Sequence, residues 1–394
     1  MERCYKKIEL QETIMKLVIH DLKPEQWNKI SRIYAGWKTI SEKPIRPCNG
    51  CFCCWNKTPG QCVIRDGFEN MGKLIHVADE ITVISRYTYG GFSSFVKNVF
   101  DRCLGYVLPQ FEVVGKETHH QKRYDENKPF TFVFYGQKLD EKEKEKTARY
   151  VKAVCTNIRG HVRKVIFEKN LIVPANGKRI EYQSYDRAVL LNPSMRSNIA
   201  NSYRFAKEFS SRLKIENEIL NLQPYLNDMD GLLERLYEIP VLVLCTPLYV
   251  DGLPSQLIRL MERFQEEYHG LRKRVYLLAN MGLYESSQLE SLFTAVKQWC
   301  QVMGFDYCGG LGISAGELLG TLIQHLPFSL GPGKSSARGM KKLAKAINAN
   351  TAIEDIYTQP FLFPRFLYIQ IANRNWNITA RKNGITPEDL YRQF

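Results

Sequence analysis

The sequence predicts an α/β protein with two doubly wound parallel-sheet domains in tandem and a helical extension at the C-terminus. Two observations predict this fold class. Short apolar runs alternate along the chain with amphipathic segments of helix length, which is the pattern of a parallel sheet with crossover helices. In addition, an apolar run, a glycine-containing loop and a helix-like segment ending in an acid–arginine pair occur at residues 78–102 and again at 239–263.

Eight apolar runs are the candidate strands, four in each half of the chain. In the first half they are Met15–His20, Glu80–Ser85, Pro129–Tyr135 and Val162–Phe167. In the second half they are Ala188–Asn192, Pro240–Thr246, Arg274–Asn280 and Tyr307–Ile313. Segments of helix length separate them, among them Ile199–Leu213, Ser255–Glu267 and Ser287–Met303. Such spacing favours parallel strands, because these need a long crossover between them.

The internal repeat indicates an ancient duplication and sets the expected domain boundaries. A shift of 161 residues aligns, without a gap, Gly91 with Gly252, Ser94 with Ser255, and Asp101–Arg102 with Glu262–Arg263. The polar stretch Val173–Asp186 is the expected boundary. The first domain then covers 1–180, the second 181–330 and the C-terminal extension 331–394. The first domain carries an additional insertion at 105–128.

Size, composition and charge favour a soluble protein of the cytoplasm. The 394 residues are 44% apolar and 24% charged, which suits two globular domains. The longest apolar stretch, Ile239–Val250, is shorter than the ~20 residues of a membrane-spanning helix. The first residues lack the apolar core of a signal peptide. The net charge of +14 is spread out and accompanies no nucleic-acid motif, so we expect neither a membrane span nor a nucleic-acid partner.

Three loops of the second half follow candidate strands, where parallel sheets bind ligands. The first, Asn192–Ser202, combines hydroxyls, amides, one arginine and the start of a helix, which suits a phosphate; an ordinary helix cap by Ser or Asn is the alternative. The second, Thr246–Pro254, is stiffened by two prolines and can lie against a flat ring, or it is a plain turn. The third, Asn280–Glu285, has a glycine that allows close approach, or it simply connects a strand to a helix.

Together the three loops resemble those of the flavodoxin-like NAD(P)H-dependent FMN reductases, over most of 186–320. Ser194-Met195-Arg196 followed by Ala200-Asn201-Ser202 is similar to the phosphate loop of that family, with Met195 in place of the usual proline. The resemblance implies that FMN is held by Ser194, Arg196, Asn201, Ser202, Thr246, Pro247, Leu248, Tyr249, Val250, Gly252, Asn280, Gly282, Tyr284 and Glu285. It also implies NAD(P)H as co-substrate, a quinone, flavin or other small molecule as electron acceptor, and a homodimer.

The first half resembles the iron–sulfur flavoproteins of this superfamily and their cluster-free relatives. The resemblance rests on the segment from Cys48 to Asp66, with five cysteines, and it leaves two interpretations open. The C-x₂-C-x₂-C-x₇-C spacing of Cys48, Cys51, Cys54 and Cys62 can hold a [4Fe–4S] cluster. Trp55 and the turn at 58–60 favour a cluster-free relative, in which the cysteines have a structural or thiol role. If the cysteines hold a cluster, the protein would be an electron-transfer module in which the first half passes electrons to FMN.

The first half is not expected to bind FMN by itself. Its first strand runs into Asp21–Gln26, an acidic loop that would repel a phosphate, and Arg86 stands where the second half has Pro247. The chain would instead fold so that this degenerate copy covers the flavin site of the other. A non-enzymatic binding protein with a vestigial site is the remaining alternative.

The insertion and the tail are the further candidates for function. His119 and His120 lie in the insertion, which is a candidate lid whose histidines could donate protons; two surface loop histidines are the simpler interpretation. The aromatic tail 360–394 is expected to pack across the two halves or in a dimer, with a membrane-surface helix as the alternative.

Overall fold

The first of two parallel sheets is built from the N-terminal half of the chain. The computed structural model describes residues 14–168, 184–268 and 272–393. The strands of the first half are β1 Lys16–His20, β2 Lys38–Ser41, β3 Glu80–Arg86, β4 Val107–Val114, β5 Glu117–Lys122, β6 Pro129–Tyr135 and β7 His161–Phe167. Its helices are α1 Pro24–Ile30, α2 Cys53–Asn56, α3 Met71–Val77, α4 Ser94–Asp101 and α5 Glu141–Asn157. The strand order in its sheet is β2-β1-β3-β6-β7, and β4 and β5 form a separate hairpin.

The second sheet repeats the same order and adds a strand. Its strands are β8 Arg187–Asn192, β9 Glu216–Asn221, β10 Val241–Pro247, β11 Arg274–Asn280, β12 Asp306–Ile313 and β13 Ile356–Thr358, in the order β9-β8-β10-β11-β12-β13. The helices are α6 Asn201–Ser210, α7 Met229–Tyr237, α8 Ser255–Glu267, α9 Glu290–Met303, α10 Gly316–Leu322, α11 Lys334–Asn348 and α12 Arg365–Lys382. Numbered within each domain, both orders read 2-1-3-4-5, the flavodoxin-like arrangement. The predicted fold class is therefore confirmed.

The central strands are buried on both faces, which explains their nearly continuous apolar runs. In β10, Leu242 and Leu244 point into one core, whereas Val241 and Val243 point into the core on the opposite face. Parallel strands covered by helices on both sides need apolar residues at successive positions rather than at alternate ones. All eight predicted strands are present.

The strands that the sequence analysis missed lie at sheet edges or in the insertion. The edge strands β2 and β13 have four and three residues, and β2, β9 and β13 each have only one buried residue. A half-exposed edge strand carries little of the apolar signal that identifies central strands. The predicted domain boundary falls mainly on residues 169–183, which lie outside the described part of the chain.

The two domains meet along α4 and α8 in a reciprocal arrangement. The carboxylate of Asp101, near the end of α4, accepts a hydrogen bond of 2.9 Å from the backbone N–H of Ser255, which begins α8. Conversely, the carboxylate of Glu262 accepts a 2.6 Å hydrogen bond from the hydroxyl of Ser94, which begins α4. The repeated acids therefore each bind the start of the partner helix, as expected for an interface with approximate two-fold symmetry.

The C-terminal segment joins both domains. β13 pairs with β12 at the edge of the second sheet, and α11 packs against the same strand. α12 then crosses to the first domain, where it contacts β4 and α2. The tail thus packs across the two halves, as the sequence analysis expected, and it closes the side on which the loops of the second sheet end.

Candidate functional site

A cavity lies at the carboxyl ends of β8, β10 and β11, where the first domain and α12 face the second sheet. We call it the switch-point cavity, because β8 and β10 are neighbours whose outgoing loops diverge at this edge. Most of the residues predicted to hold a cofactor line it, namely Ser194, Arg196, Asn201, Ser202, Pro247, Leu248, Tyr249, Val250, Asn280 and Gly282. The three loops of the second half therefore converge on one site.

The corner of the cavity at α6 is suited to an anion. The N-cap of α6 is Ala200, and within this described segment no side chain caps the helix, so the alternative of an ordinary Ser or Asn cap does not hold. The N–H groups of a first helical turn have no acceptor within the helix, which leaves them available to a ligand. Ser194 is buried at this corner, and the guanidinium of Arg196 lies 3.7 Å from the carboxylate of Glu317.

The second and third loops form one side of the cavity. The N–H of Leu248 donates a 2.8 Å hydrogen bond to the carbonyl of Asn280, which ties the two loops together. The side-chain oxygen of Asn280 is buried and has no hydrogen-bond partner among the described residues. Since buried acceptors are nearly always paired in folded proteins, this oxygen is suited to an N–H group of a bound ligand.

Four of the predicted residues lie outside the lining of the cavity. Glu285 accepts hydrogen bonds from the N–H of Thr118 at 2.7 Å and from Arg365 at 2.9 Å, and Tyr284 donates to the carbonyl of Phe363 at 2.7 Å. These contacts hold the hairpin and the tail against the third loop. The remaining two are Thr246, whose hydroxyl bonds the carbonyl of Pro247, and Gly252, which lies on the far side of its loop.

The opposite wall of the cavity is aromatic and comes from the first domain and the tail. Phe52 and Trp55 stack with their ring centroids 5.3 Å apart, and Trp376 of α12 packs edge-on against both, at 5.5 and 5.4 Å. Phe111 of the hairpin joins this wall and is held by two hydrogen bonds to Asn373. A flat aromatic ligand in this cavity would therefore meet aromatic rings on the side away from the second sheet.

The two histidines of the insertion have different environments, and neither is a surface residue. His120 lines the cavity, with its ring between Trp55 and Phe111, and its Nδ1 lies 3.2 Å from the carbonyl of Pro109. Burial lowers the pKa of His120 to about 4, so the ring is neutral at pH 7. His119 instead faces the side chain of Asn157, at 2.7 Å from Nδ1.

The four cysteines with cluster-like spacing stand beside the cavity but do not form a ligand set. Cys51 is exposed, while Cys48, Cys54 and Cys62 are half-buried, and all four are free thiols. Across residues 14–168, 184–268 and 272–393, no three side chains of His, Cys, Asp or Glu are grouped closely enough to hold a metal ion. The residues as arranged do not fit a [4Fe–4S] cluster, and we derive no step through one.

The matching edge of the first domain, at the carboxyl ends of β1, β3 and β6, borders an open cavity, but the polar groups there are already bonded to one another. The carboxylate of Asp21 accepts hydrogen bonds from the N–H of Arg86 at 2.9 Å and from the hydroxyl of Tyr135 at 3.0 Å. α1 begins with Pro24, and the side chain of Gln26 accepts from the N–H of Lys23. A buried carboxylate and a helix start that lacks one N–H leave little for a phosphate to bind.

Sequence reasoning missed two residues of the cavity, Asn157 and Asp251, which only the tertiary structure brings there. Phe111 and Trp376, which also line it, belong to the insertion and the aromatic tail that the sequence analysis had selected as candidates. Only for Asp251 could the sequence have suggested a special role, because it departs from the repeat: the position 161 residues earlier is Gly90.

No family model and no curated protein matches the chain. Among solved structures it is similar to the Trp repressor binding protein from Bacillus subtilis, at 21% identity and a TM-score of 0.26 over 32% of this chain and 83% of that one. It is also similar to azoreductase AzrA and to an azoreductase from Bacillus anthracis, each at 12% identity and a TM-score of 0.29 over 41% of this chain and 99% of theirs. The fold assignment rests on the strand order of the two sheets. In the described ranges, no helix has the length and apolar character required to cross a membrane.

Proposed function

We propose that the protein is an FMN-dependent oxidoreductase that takes hydride from NAD(P)H and passes the electrons to a quinone, a flavin or another small-molecule acceptor. The observation that supports this most is the convergence of three loops on the switch-point cavity. An uncapped helix start lies at one end of the cavity, and an aromatic wall faces the loops. These two features match the two chemically different ends of FMN, a phosphate and a flat ring.

Each part of the cavity would have a separate task in holding the cofactor. The N–H groups that begin α6, the hydroxyl of Ser194 and the guanidinium of Arg196 suit the phosphate, because charge-assisted hydrogen bonds and the helix dipole favour an anion there. The backbone of Pro247–Tyr249 would lie along the ring, and the free oxygen of Asn280 would accept from its edge. Bound FMN would supply the hydride chemistry, while the protein positions it and excludes water.

The phosphate assignment is tested by the double substitution Ser194→Ala with Arg196→Ala. Each lost charged hydrogen bond is worth ~1.5–3 kcal/mol, so FMN affinity should fall by at least two orders of magnitude. The measurement is a fluorescence titration of the ligand-free protein with FMN. Riboflavin, which lacks the phosphate, should bind the wild type and the variant equally well.

A matched control replaces a serine and an arginine of the same domain that lie away from the cavity, Ser211→Ala with Arg235→Ala. Both side chains belong to surface contacts of the second domain. FMN affinity should remain that of the wild type. If the wild type takes up no FMN at all, the competing proposal of a non-enzymatic binding protein is supported instead.

A further inference from the structure

We propose that Asp251 is the proton donor of the switch-point cavity and delivers a proton to a two-electron acceptor such as a quinone. This inference rests on the proposed flavin function and assigns a catalytic residue to it. Asp251 lies in the loop between β10 and α8. It lines the switch-point cavity and also a second space, the interdomain cleft, which lies between the two domains and is bordered by Tyr89, His119, Arg149, Gly252 and Gln288.

The backbone of Asp251 has a positive φ, and the corresponding residue of the first domain is a glycine, Gly90. Val250 and Asp251 have φ values of +38° and +56°, and the corresponding residues of the first domain, Tyr89 and Gly90, have +47° and +87°. In both domains this pair forms a tight turn closed by reciprocal backbone hydrogen bonds. A non-glycine pair at positive φ is uncommon, and such positions concentrate at functional sites.

The carboxyl group of Asp251 is buried without a cation bonded to it. Only 3% of the residue is exposed. Among the described residues its one hydrogen-bond partner is Asn157, whose amide N–H donates to Oδ2. The amide oxygen of Asn157 in turn faces Nδ1 of His119, which fixes the orientation of the amide. A buried carboxyl that is paired only with a neutral amide retains its proton more readily than an exposed one.

The charges around Asp251 do not cancel the effect of burial. The titratable groups that face it from neighbouring elements are Lys97 on α4, Glu117 and His119 on β5, and Tyr150 and Cys155 on α5. Burial raises the pKa of Asp251 to about 6, despite the opposing effects of the hydrogen bond from Asn157 and of the positive groups. A carboxyl that titrates near pH 6 can both release and recover a proton during turnover.

The proposed step balances with the species that the function already supplies. Two-electron reduction of a quinone to a hydroquinone requires a hydride and a proton. The electron pair and its hydrogen come from NAD(P)H by way of FMN. The O–H bond of the Asp251 carboxyl breaks, and its proton forms the O–H bond on the acceptor oxygen. The carboxylate that remains recovers a proton from water through the interdomain cleft, on which it also borders.

Two substitutions at this position test the proposal in the FMN-loaded full chain. Asp251→Asn keeps the shape and the hydrogen bond from Asn157, while Asp251→Gly matches the residue of the first domain and suits the positive φ if the first variant folds poorly. Quinone reduction should slow by ~10²-fold or more in both. Reduction of ferricyanide, which needs no proton, should stay within about threefold of the wild type. Asp230→Asn, on the exposed surface of α7 and away from the interdomain cleft, is the control and should change neither rate.

A second measurement needs no turnover. The titration of Asp251 in the ligand-free protein is monitored by carbon-13 NMR of the aspartate carboxyls. One resonance should titrate near pH 6 and be missing from Asp251→Asn. The proposal is overturned if the resonance that is missing from Asp251→Asn titrates near pH 4, or if the Asp251 variants reduce quinone at the wild-type rate. A wild type that binds no FMN overturns the proposed function as well, whereas FMN uptake with unchanged quinone rates overturns only the role of Asp251.

Discussion

Ala200 and Val250 each break a local rule of their element, and both line the switch-point cavity. Alanine is a poor N-cap, and a β-branched residue at positive φ is a genuine outlier. Exceptions of this kind are expected where a site, rather than stability, determines the residue. Ser194 and Arg196 were predictable because a local motif identifies them. The sequence showed that Asp251 departs from the repeat but not that it is buried, because its partner Asn157 comes from the other domain.

The burial of His120 gives a prediction about stability in acid. The pKa of His120 is about 4 in the folded protein and 6.5 in the unfolded chain. Between pH 4 and pH 6.5 the unfolded chain therefore binds more protons than the folded protein. The free energy of unfolding should therefore fall as the pH drops from 6.5 to 4, with up to ~3 kcal/mol of that fall due to this residue. Urea unfolding of the ligand-free protein at pH 7, 5.5 and 4 measures it.

The matched variant is His120→Phe, which keeps a ring between Trp55 and Phe111 but does not titrate. Its free energy of unfolding should depend less steeply on pH than that of the wild type. His20, whose pKa burial also lowers to about 4, is present in both proteins and cancels in the comparison. Parallel pH profiles for the two proteins would show that His120 has an ordinary pKa.

At the scale of elements, the insertion is a hairpin that the sequence did not reveal. The predicted segment 105–128 contains β4 and β5, joined by a two-residue loop in which Gly115 has a φ of +62°, as in a type II′ turn. Its sequence hides the alternation of a strand, because both faces are covered. Phe111, Thr118 and His120 on one face meet the cavity wall and the third loop, whereas Glu112 and His119 on the other meet Arg159 and Asn157. Both faces therefore carry a mixture of polar and aromatic residues.

A substitution of Glu285 distinguishes two possible roles of this residue of the third loop, which are binding FMN and anchoring the hairpin. The sequence resemblance assigns it to FMN, whereas the structure shows it bound to Thr118 and Arg365. We expect Glu285→Ala to leave FMN affinity within about threefold, and to increase amide hydrogen exchange in residues 107–122, because the hairpin loses its anchor.

Tyr284→Phe is the control for this experiment, since it removes only the hydroxyl bond to Phe363. Exchange in the hairpin should then remain that of the wild type. A large loss of FMN affinity in Glu285→Ala, with unchanged exchange in the hairpin, would show that Glu285 binds the cofactor rather than anchoring the hairpin.

At the scale of the whole molecule, one chain reproduces the geometry of a two-fold dimer. The sequence showed that the helix after each glycine-containing loop carries an acid, but not that each acid would bind the start of the other helix. That pairing depends on which faces the domains present to each other, and no periodicity encodes it. Lys97 extends the same interface: its buried ammonium pairs with Asp101 and donates to the carbonyl of Tyr249, so the first domain supports the loop that would face the ring.

The two domains differ so much at these positions that only one should hold a cofactor, and stoichiometry tests this in the full chain. In the first domain the carboxylate of Asp21 occupies N–H and hydroxyl donors, and α1 starts with a proline, whereas α6 starts uncapped. Titration calorimetry should therefore give one FMN per chain. Ser194→Ala with Arg196→Ala should leave no tight site, because nothing in the first domain replaces the one that is lost. Two equivalents in the wild type, or one tight equivalent remaining in the double variant, would place a working site in the first domain and contradict the roles assigned to the two domains.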